Sequence, residues 1–208
     1  MATNYDKIAK NYDLISRLVF GKALVEAQVC LLKYVSEGSR ILIVGGGTGW
    51  ILEEFAKVHS QGLKIDYIES SAKMITLSKQ RNYGANEINF INFAVEHYTT
   101  EEKYDVIMTP FFFDNFRLDK CREIFTKLDS FLKNDGVWLY VDFVYDENNG
   151  QLWQKILLKL MYFFFRVTTR IETQELISMN QFFDPLYYKM AEISHYHNFI
   201  KSIAFKKR

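Results

Sequence analysis

Gly45-Gly46-Gly47-Thr48-Gly49 packs four glycines into five residues, between an apolar run ending at Val44 and a helical pattern opening at Trp50. Glycine lets a backbone approach a ligand closely, and a helix N-terminus aims free N–H groups at it. A tight turn needs only one or two glycines, so four point to a ligand. Glu69 closes the next apolar run, about 20 residues beyond Gly49. At the C-terminal end of a strand beside such a loop, a carboxylate can accept both hydroxyls of a ribose. The dinucleotide fingerprint G-x-G-x-x-G needs a small third residue where this chain has Trp50, and G-x-x-x-x-G-K-[ST] is absent. The pair therefore suits an adenosine-bearing ligand without a pyrophosphate.

The elements that must hold this site follow from periodicity. Helical spacing covers residues 5–19 and 22–36, where Leu24, Val25, Val29, Leu32 and Val35 share a face. Strands are predicted at 40–44, 64–68, 88–92, 104–108 and 137–141, and helices at 50–59, 71–82 and 118–133. Strands alternating with helices imply a parallel sheet covered on both faces. The last third changes character: two helices, 150–167 and 172–181, precede strands 187–194 and 200–206 around a tight turn at His195–Asn198. The expected fold is α/β, a seven-stranded, mostly parallel sheet with an antiparallel terminal strand and an N-terminal helical cap. One domain is expected over 1–208: a cap at 1–38, a ligand-binding core at 39–146, a helical insertion at 147–184 and a terminal hairpin at 185–208.

Ile41-Leu42-Ile43-Val44-Gly45-Gly46-Gly47-Thr48-Gly49, followed by Ile68-Glu69-Ser70-Ser71-Ala72-Lys73-Met74, resembles the first two motifs of class I S-adenosylmethionine-dependent methyltransferases. Ile8-Ala9-Lys10-Asn11-Tyr12-Asp13 resembles the segment that covers the cofactor in the ubiquinone/menaquinone-type members. Tyr104–Met108 and Gly136–Leu139 resemble their fourth strand and the turn into the fifth. The resemblance implies a Rossmann-like fold and S-adenosylmethionine as cofactor. It implies that Gly45, Gly46, Gly47 and Gly49 lie along the methionine part, that Glu69 holds the ribose and that Ser70 flanks the adenine. It also places Tyr12 over the cofactor and Thr109 beside it. Where the family usually offers an acid to the adenine, this chain has Ala94, leaving Glu96 or the backbone at Ala94 and Val95 for that contact.

The methyl acceptor should sit outside the C-terminal ends of the strands. There the loop Thr109-Pro110-Phe111-Phe112-Phe113-Asp114-Asn115-Phe116 is apolar where a loop should be polar, so Phe111, Phe112 and Phe113 are candidate acceptor contacts. Asp114 and Asp142 are candidate general bases, a role worth about 10²–10⁴-fold where the acceptor must lose a proton. His195 and His197 have no third ligand nearby, and no metal is expected. Composition bears on the partners. With 26 Lys+Arg against 25 Asp+Glu the net charge is +1, which disfavours nucleic acid. Aromatic residues reach 16%, with 18 Phe and 13 Tyr, and favour a hydrophobic or aromatic small molecule. The apolar run Ile156–Phe165 is too short to span a bilayer, so no stable membrane insertion is expected, and a homodimer is left open. Two widely separated cysteines and no charged-then-apolar leader fit a cytoplasmic protein. The alternatives are a non-catalytic S-adenosylmethionine-binding regulator and, opposed by Trp50, an NAD-dependent oxidoreductase.

Overall fold

Arg40–Val44 forms strand β1, and its position explains its composition. In the computed structural model, which describes residues 5–146, 150–169, 173 and 176–208, Ile41 to Val44 are completely buried. Ile41 and Ile43 enter the core on one face of the sheet, while Leu42 and Val44 enter the core on the other. A strand covered on both faces has no polar positions, which is why its residues read as one apolar run.

The other strands are β2 (Gln61–Ile68), β3 (Ala85–Ile91), β4 (Tyr104–Pro110), β5 (Leu132–Phe143), β6 (Tyr187–His195) and β7 (Ile200–Lys207). Their order is β3-β2-β1-β4-β5-β7-β6, and β7 alone runs against the rest. The chain moves outward from β1 through β2 to β3, then returns to place β4 on the other side of β1. The C-terminal ends of β1 and β4 therefore flank a switch point, where open sheets of this kind bind ligands. Helices α1 (Ala9–Phe20), α2 (Ala23–Val29), α3 (Trp50–Val58), α4 (Ala72–Ser78), α5 (Leu118–Phe131), α6 (Leu152–Thr169) and α7 (Asn180–Leu186) surround the sheet. This is the expected seven-stranded α/β fold.

Three expectations are corrected. The helix expected at 172–181 falls partly on residues outside those described, and α7 starts only at Asn180, where buried Met179 and Phe183 reach the core. Leu152–Phe165, within helix α6, reads in the sequence as apolar nearly all round, the pattern of a helix buried on several sides. The helix buries Gln154, Leu158, Tyr162 and Thr169 and leaves Leu152, Ile156, Leu160, Phe163 and Val167 exposed. The aromatic surplus has a mainly structural address as well. Phe125 stacks on Trp138 at 5.1 Å, and Phe183 stacks on Phe205 at 4.0 Å, in one core beneath β4, β5 and β7. No described helix is long and apolar enough to cross a membrane.

Candidate cofactor cleft

An open cleft lies at the switch point, with about 930 Å³ of empty space including solvent at its mouth. Its floor is the glycine loop. Gly45, Gly47 and Gly49 have φ of +70°, +64° and +79°, a conformation that disfavours any side chain. Gly46 is needed for a different reason: a Cβ there would fall 2.2 Å from the ring of fully buried Tyr67, whose hydroxyl donates to the Gly47 carbonyl at 3.0 Å.

The loop's N–H groups are largely taken. Those of Gly45 and Gly46 donate to the Ile68 carbonyl at 2.9 and 3.5 Å, and that of Gly47 donates to Glu69 Oε2 at 3.0 Å. Glu69 Oε1 accepts from the Ser71 N–H at 2.8 Å. Glu69 is thus a clasp between the two motifs, only 6% exposed. Burial raises its pKa, and the N–H bonds from Ser71 and Gly47 oppose that shift. A carboxylate has about four lone-pair sites, so Glu69 keeps acceptor capacity for a ligand. Gly47 faces open space, where an added Cβ would meet only Met74 Sδ, at 3.9 Å. Glu69 and Glu96 line the cleft, and among the described residues no Lys or Arg does.

The segment Tyr5–Phe20 straps over this floor. Asp6 accepts from the Ser71 hydroxyl at 2.5 Å and the Lys73 N–H at 3.1 Å, fastening the strap to α4. Asp13 accepts from the Thr48 hydroxyl at 2.6 Å and from Arg81 at 2.7 Å, fastening α1 to the glycine loop. Tyr5 and Tyr12 are carried over the cleft. Burial raises both hydroxyls, with the Asp114 and Glu69 carboxylates adding to the shift, so each remains protonated. Tyr5 already donates to Asn115 Oδ1 at 2.5 Å. By contrast α2 joins the core, where Ala27 accepts from Ser202 at 2.5 Å, so the covering part of the N-terminal region is shorter than residues 1–38.

The structure brings Tyr12, Gly45, Gly46, Gly47, Glu69, Ser70, Val95 and Glu96 together around the cleft, with Phe111 and Phe112. It places five other candidates elsewhere. Gly49 caps α3 and packs on α4, where a Cβ would come within 2.5 Å of Ser78 Cβ. Thr109 is fully buried on the other side of β4, accepting from Trp138 Nε1 at 2.9 Å. Phe113 is 1% exposed in the aromatic core, because the 3₁₀ turn Phe113–Asn115 rotates it away from Phe112. Asp142 is buried and accepts from the Phe143 N–H at 2.9 Å, and Asp114 stands behind the cleft, accepting from Asn115 Nδ2 at 2.8 Å. Neither carboxyl lines the cleft. Sequence reasoning missed Tyr5, Gln28, Met74 and Phe93, which do, as does Asn115, read there as a polar group reaching into the acceptor wall. Phe93 was within sight, since it opens the loop read for the adenine contact.

Asp114 and Asp142 nonetheless have a readable consequence. Burial raises Asp142 to about 7, and burial together with the Asp142 charge raises Asp114. The folded chain then holds a proton that the unfolded chain releases near pH 4. This contribution to stability is fully present below about pH 4 and is lost as pH rises through about 7. Asp142→Asn keeps an acceptor for Phe143 but cannot ionise. Its urea midpoint relative to the parent chain should therefore rise between pH 5 and pH 8, and a pH-independent difference would contradict the assignment.

Residues 41–136 match the methyltransferase-domain family. Malonyl-[acyl-carrier protein] O-methyltransferase 2 of Ilyobacter polytropus is 32% identical over 143 residues, which cover 67% of this chain and 52% of that protein. The chain thus spans about half the length of this curated relative. Among solved structures, the mitomycin 7-O-methyltransferase MmcR superposes with a TM-score of 0.69 at 15% identity, over 96% of this chain and 58% of that one. N-methyltransferase NodS of Bradyrhizobium japonicum, in complex with S-adenosyl-L-homocysteine, superposes with a TM-score of 0.59 at 11% identity, over 88% and 83%. The protein belongs to the class I S-adenosylmethionine-dependent methyltransferases, and S-adenosylmethionine is the cofactor of that family. Neither neighbour shares enough sequence to assign an acceptor.

Proposed function

We propose that the chain transfers a methyl group from S-adenosylmethionine to a small, uncharged, apolar or aromatic acceptor. The observation that carries this reading is the charge of the cleft: among the described residues Glu69 and Glu96 line it, and no Lys or Arg does. Such a lining suits a ligand bearing a sulfonium and an ammonium and repels a pyrophosphate. The loop agrees, because the Gly45, Gly46 and Gly47 N–H groups are already committed and do not form an anion cradle. The cofactor supplies a methyl group on a positively charged sulfur. Residues of the chain do the rest: Glu69 accepts from the ribose, the loop Phe93–Glu96 borders the adenine, and Tyr5 and Tyr12 shut out water. Phe111, Phe112 and Phe116 offer the acceptor an apolar wall. Catalysis by such a site rests on positioning for in-line transfer more than on a base. The chain is read as one methyltransferase domain.

The curated relative favours a second reading, O-methylation of a malonyl group on an acyl carrier protein. A malonyl thioester brings a free carboxylate, which the two lining acids disfavour. Turnover of radiolabelled cofactor in a metabolite extract, beside a parallel reaction with malonyl-acyl carrier protein, tests both. Label in an uncharged small molecule supports the first reading, label in the carrier protein overturns it, and binding without turnover identifies a regulator.

The strap gives a further expectation. Arg81→Ala removes the ion pair to Asp13 and the bond from Arg81 Nε to the Thr48 carbonyl at 3.0 Å. A partly exposed ion pair is worth up to about 1 kcal/mol, so S-adenosylhomocysteine should bind about fivefold more weakly to the variant. Calorimetric titration checks this, and unchanged affinity would show that the strap does not hold the cofactor.

A further inference from the structure

Helices α1 and α6 are bridged at both ends, the start of each to the end of the other, by side chains of other elements. At one end the Tyr196 hydroxyl donates to the Val19 carbonyl at 2.9 Å while its ring meets Phe20 at 5.4 Å and Trp153 at 5.6 Å. At the other, the Tyr5 ring meets Tyr12 at 6.2 Å and Phe165 at 5.8 Å. The faces that the two helices expose are strongly apolar. On α6, Leu152, Ile156, Leu160, Phe163 and Val167 repeat at intervals of four, four, three and four residues and are 74%, 51%, 60%, 66% and 63% exposed. On α1, Leu14 and Leu18 add side chains 61% and 77% exposed. An uncovered stripe of this extent marks an interaction site.

The charges beside it select the occupant. Exposed Lys155, Lys159 and Arg166 run along one edge of the α6 stripe, and exposed Lys10 and Arg17 accompany the α1 leucines. Helix α6 contains no Asp or Glu, and the single acid of α1, Asp13, is turned inward onto Thr48 and Arg81. In a chain of net charge +1 this is a marked segregation of cations. Pairing with a second copy would bring these cationic rows together with no acid from either helix to offset them. An anionic bilayer surface answers both halves of the pattern, because lipid headgroups meet the cations and acyl chains take the stripe. We infer that the α1–α6 face docks peripherally on anionic lipid. Tyr12 of α1 and Tyr5, in ring contact with Phe165 of α6, line the cleft. Docking through this face therefore holds the cleft next to a membrane, where apolar acceptors concentrate. The inference stands independently of which acceptor is methylated.

Co-sedimentation of the full chain with phosphatidylcholine vesicles, with and without about 30% phosphatidylglycerol, tests it. The chain should bind the anionic vesicles, bind phosphatidylcholine alone only weakly, and come off as salt is raised to roughly 0.5 M. Lys155→Gln with Lys159→Gln should lower the partition coefficient about 30-fold. Leu160→Glu with Phe163→Glu should abolish binding while S-adenosylhomocysteine affinity, the check on folding, stays unchanged. The proposal is overturned if low-salt anionic vesicles fail to bind, or if the Glu pair binds them as well as the parent chain. It is equally overturned if sedimentation equilibrium shows a dimer that the Glu pair dissolves, or if an acidic carrier protein occupies this face while vesicles do not.

Discussion

Glu69→Ala should weaken S-adenosylhomocysteine binding by at least about 100-fold, from two hydrogen bonds to a charged group at roughly 1.5–3 kcal/mol each. The buried carboxylate has two tasks. Its oxygens accept from Gly47 at 3.0 Å and Ser71 at 2.8 Å, which joins the glycine loop to the turn after β2. Its remaining lone pairs face the cleft. Alanine removes the ligand's acceptor and leaves two backbone donors without their partner, so the loop loosens as well. Glu69→Gln separates charge from shape. It nearly preserves the volume but turns an amide N–H₂ toward a backbone N–H, whether that of Gly47 or that of Ser71. Its affinity should fall between those of the parent chain and the alanine variant, with a smaller loss of thermal stability. Titration calorimetry and thermal melts on the three proteins read both effects. Near-parental affinity of Glu69→Ala would remove Glu69 from the binding site.

Gly49→Ala should act on stability more than on the ligand. Its φ of +79° disfavours a side chain by about 1–2 kcal/mol. A Cβ there would also fall 2.5 Å from Ser78 Cβ and 2.7 Å from Ser78 Cα, a backbone atom that cannot rotate away. Overpacking of that kind typically costs about 1–3 kcal/mol. The sum, near 2–5 kcal/mol, corresponds to a melting temperature lower by roughly 5–20 °C in a chain of this size. If Gly49 instead touched the cofactor, the variant would melt normally and fail only in binding. The melting curve in the absence of ligand decides between these roles.

What was legible in the sequence, and what was not, follows from the physics of each position. β1 and the glycine loop were readable because a doubly buried strand and a run of glycines each leave a local signature. The place of Glu69 beside the loop was readable from its spacing. Thr109 was misplaced because a strand buried on both faces shows no alternation, so nothing local tells which face a residue takes. Only the pairing of Thr109 with Tyr140 and its bond to Trp138 settle that it faces the aromatic core. Phe113 and its neighbours were read as one wall, but Phe111, at φ +50°, and the following 3₁₀ turn send consecutive rings in different directions. Asp114 and Asp142 carry no sequence sign of being buried, and tertiary packing alone moves them behind the cleft. Tyr5 acquires its place through distant partners, Asn115, 110 residues away, and Phe165. Helix α6 looked like a buried helix because its outward stripe is as apolar as a core, and composition does not distinguish the inside of the molecule from a surface meant to be covered.

The central claim is that this cleft binds S-adenosylmethionine and not a dinucleotide. Calorimetric titration of the purified chain with S-adenosylhomocysteine and, separately, with NAD tests it most directly. The account predicts one saturable site for S-adenosylhomocysteine, lost in Glu69→Ala, and no heat of binding from NAD. Saturable binding of NAD with none of S-adenosylhomocysteine would contradict it.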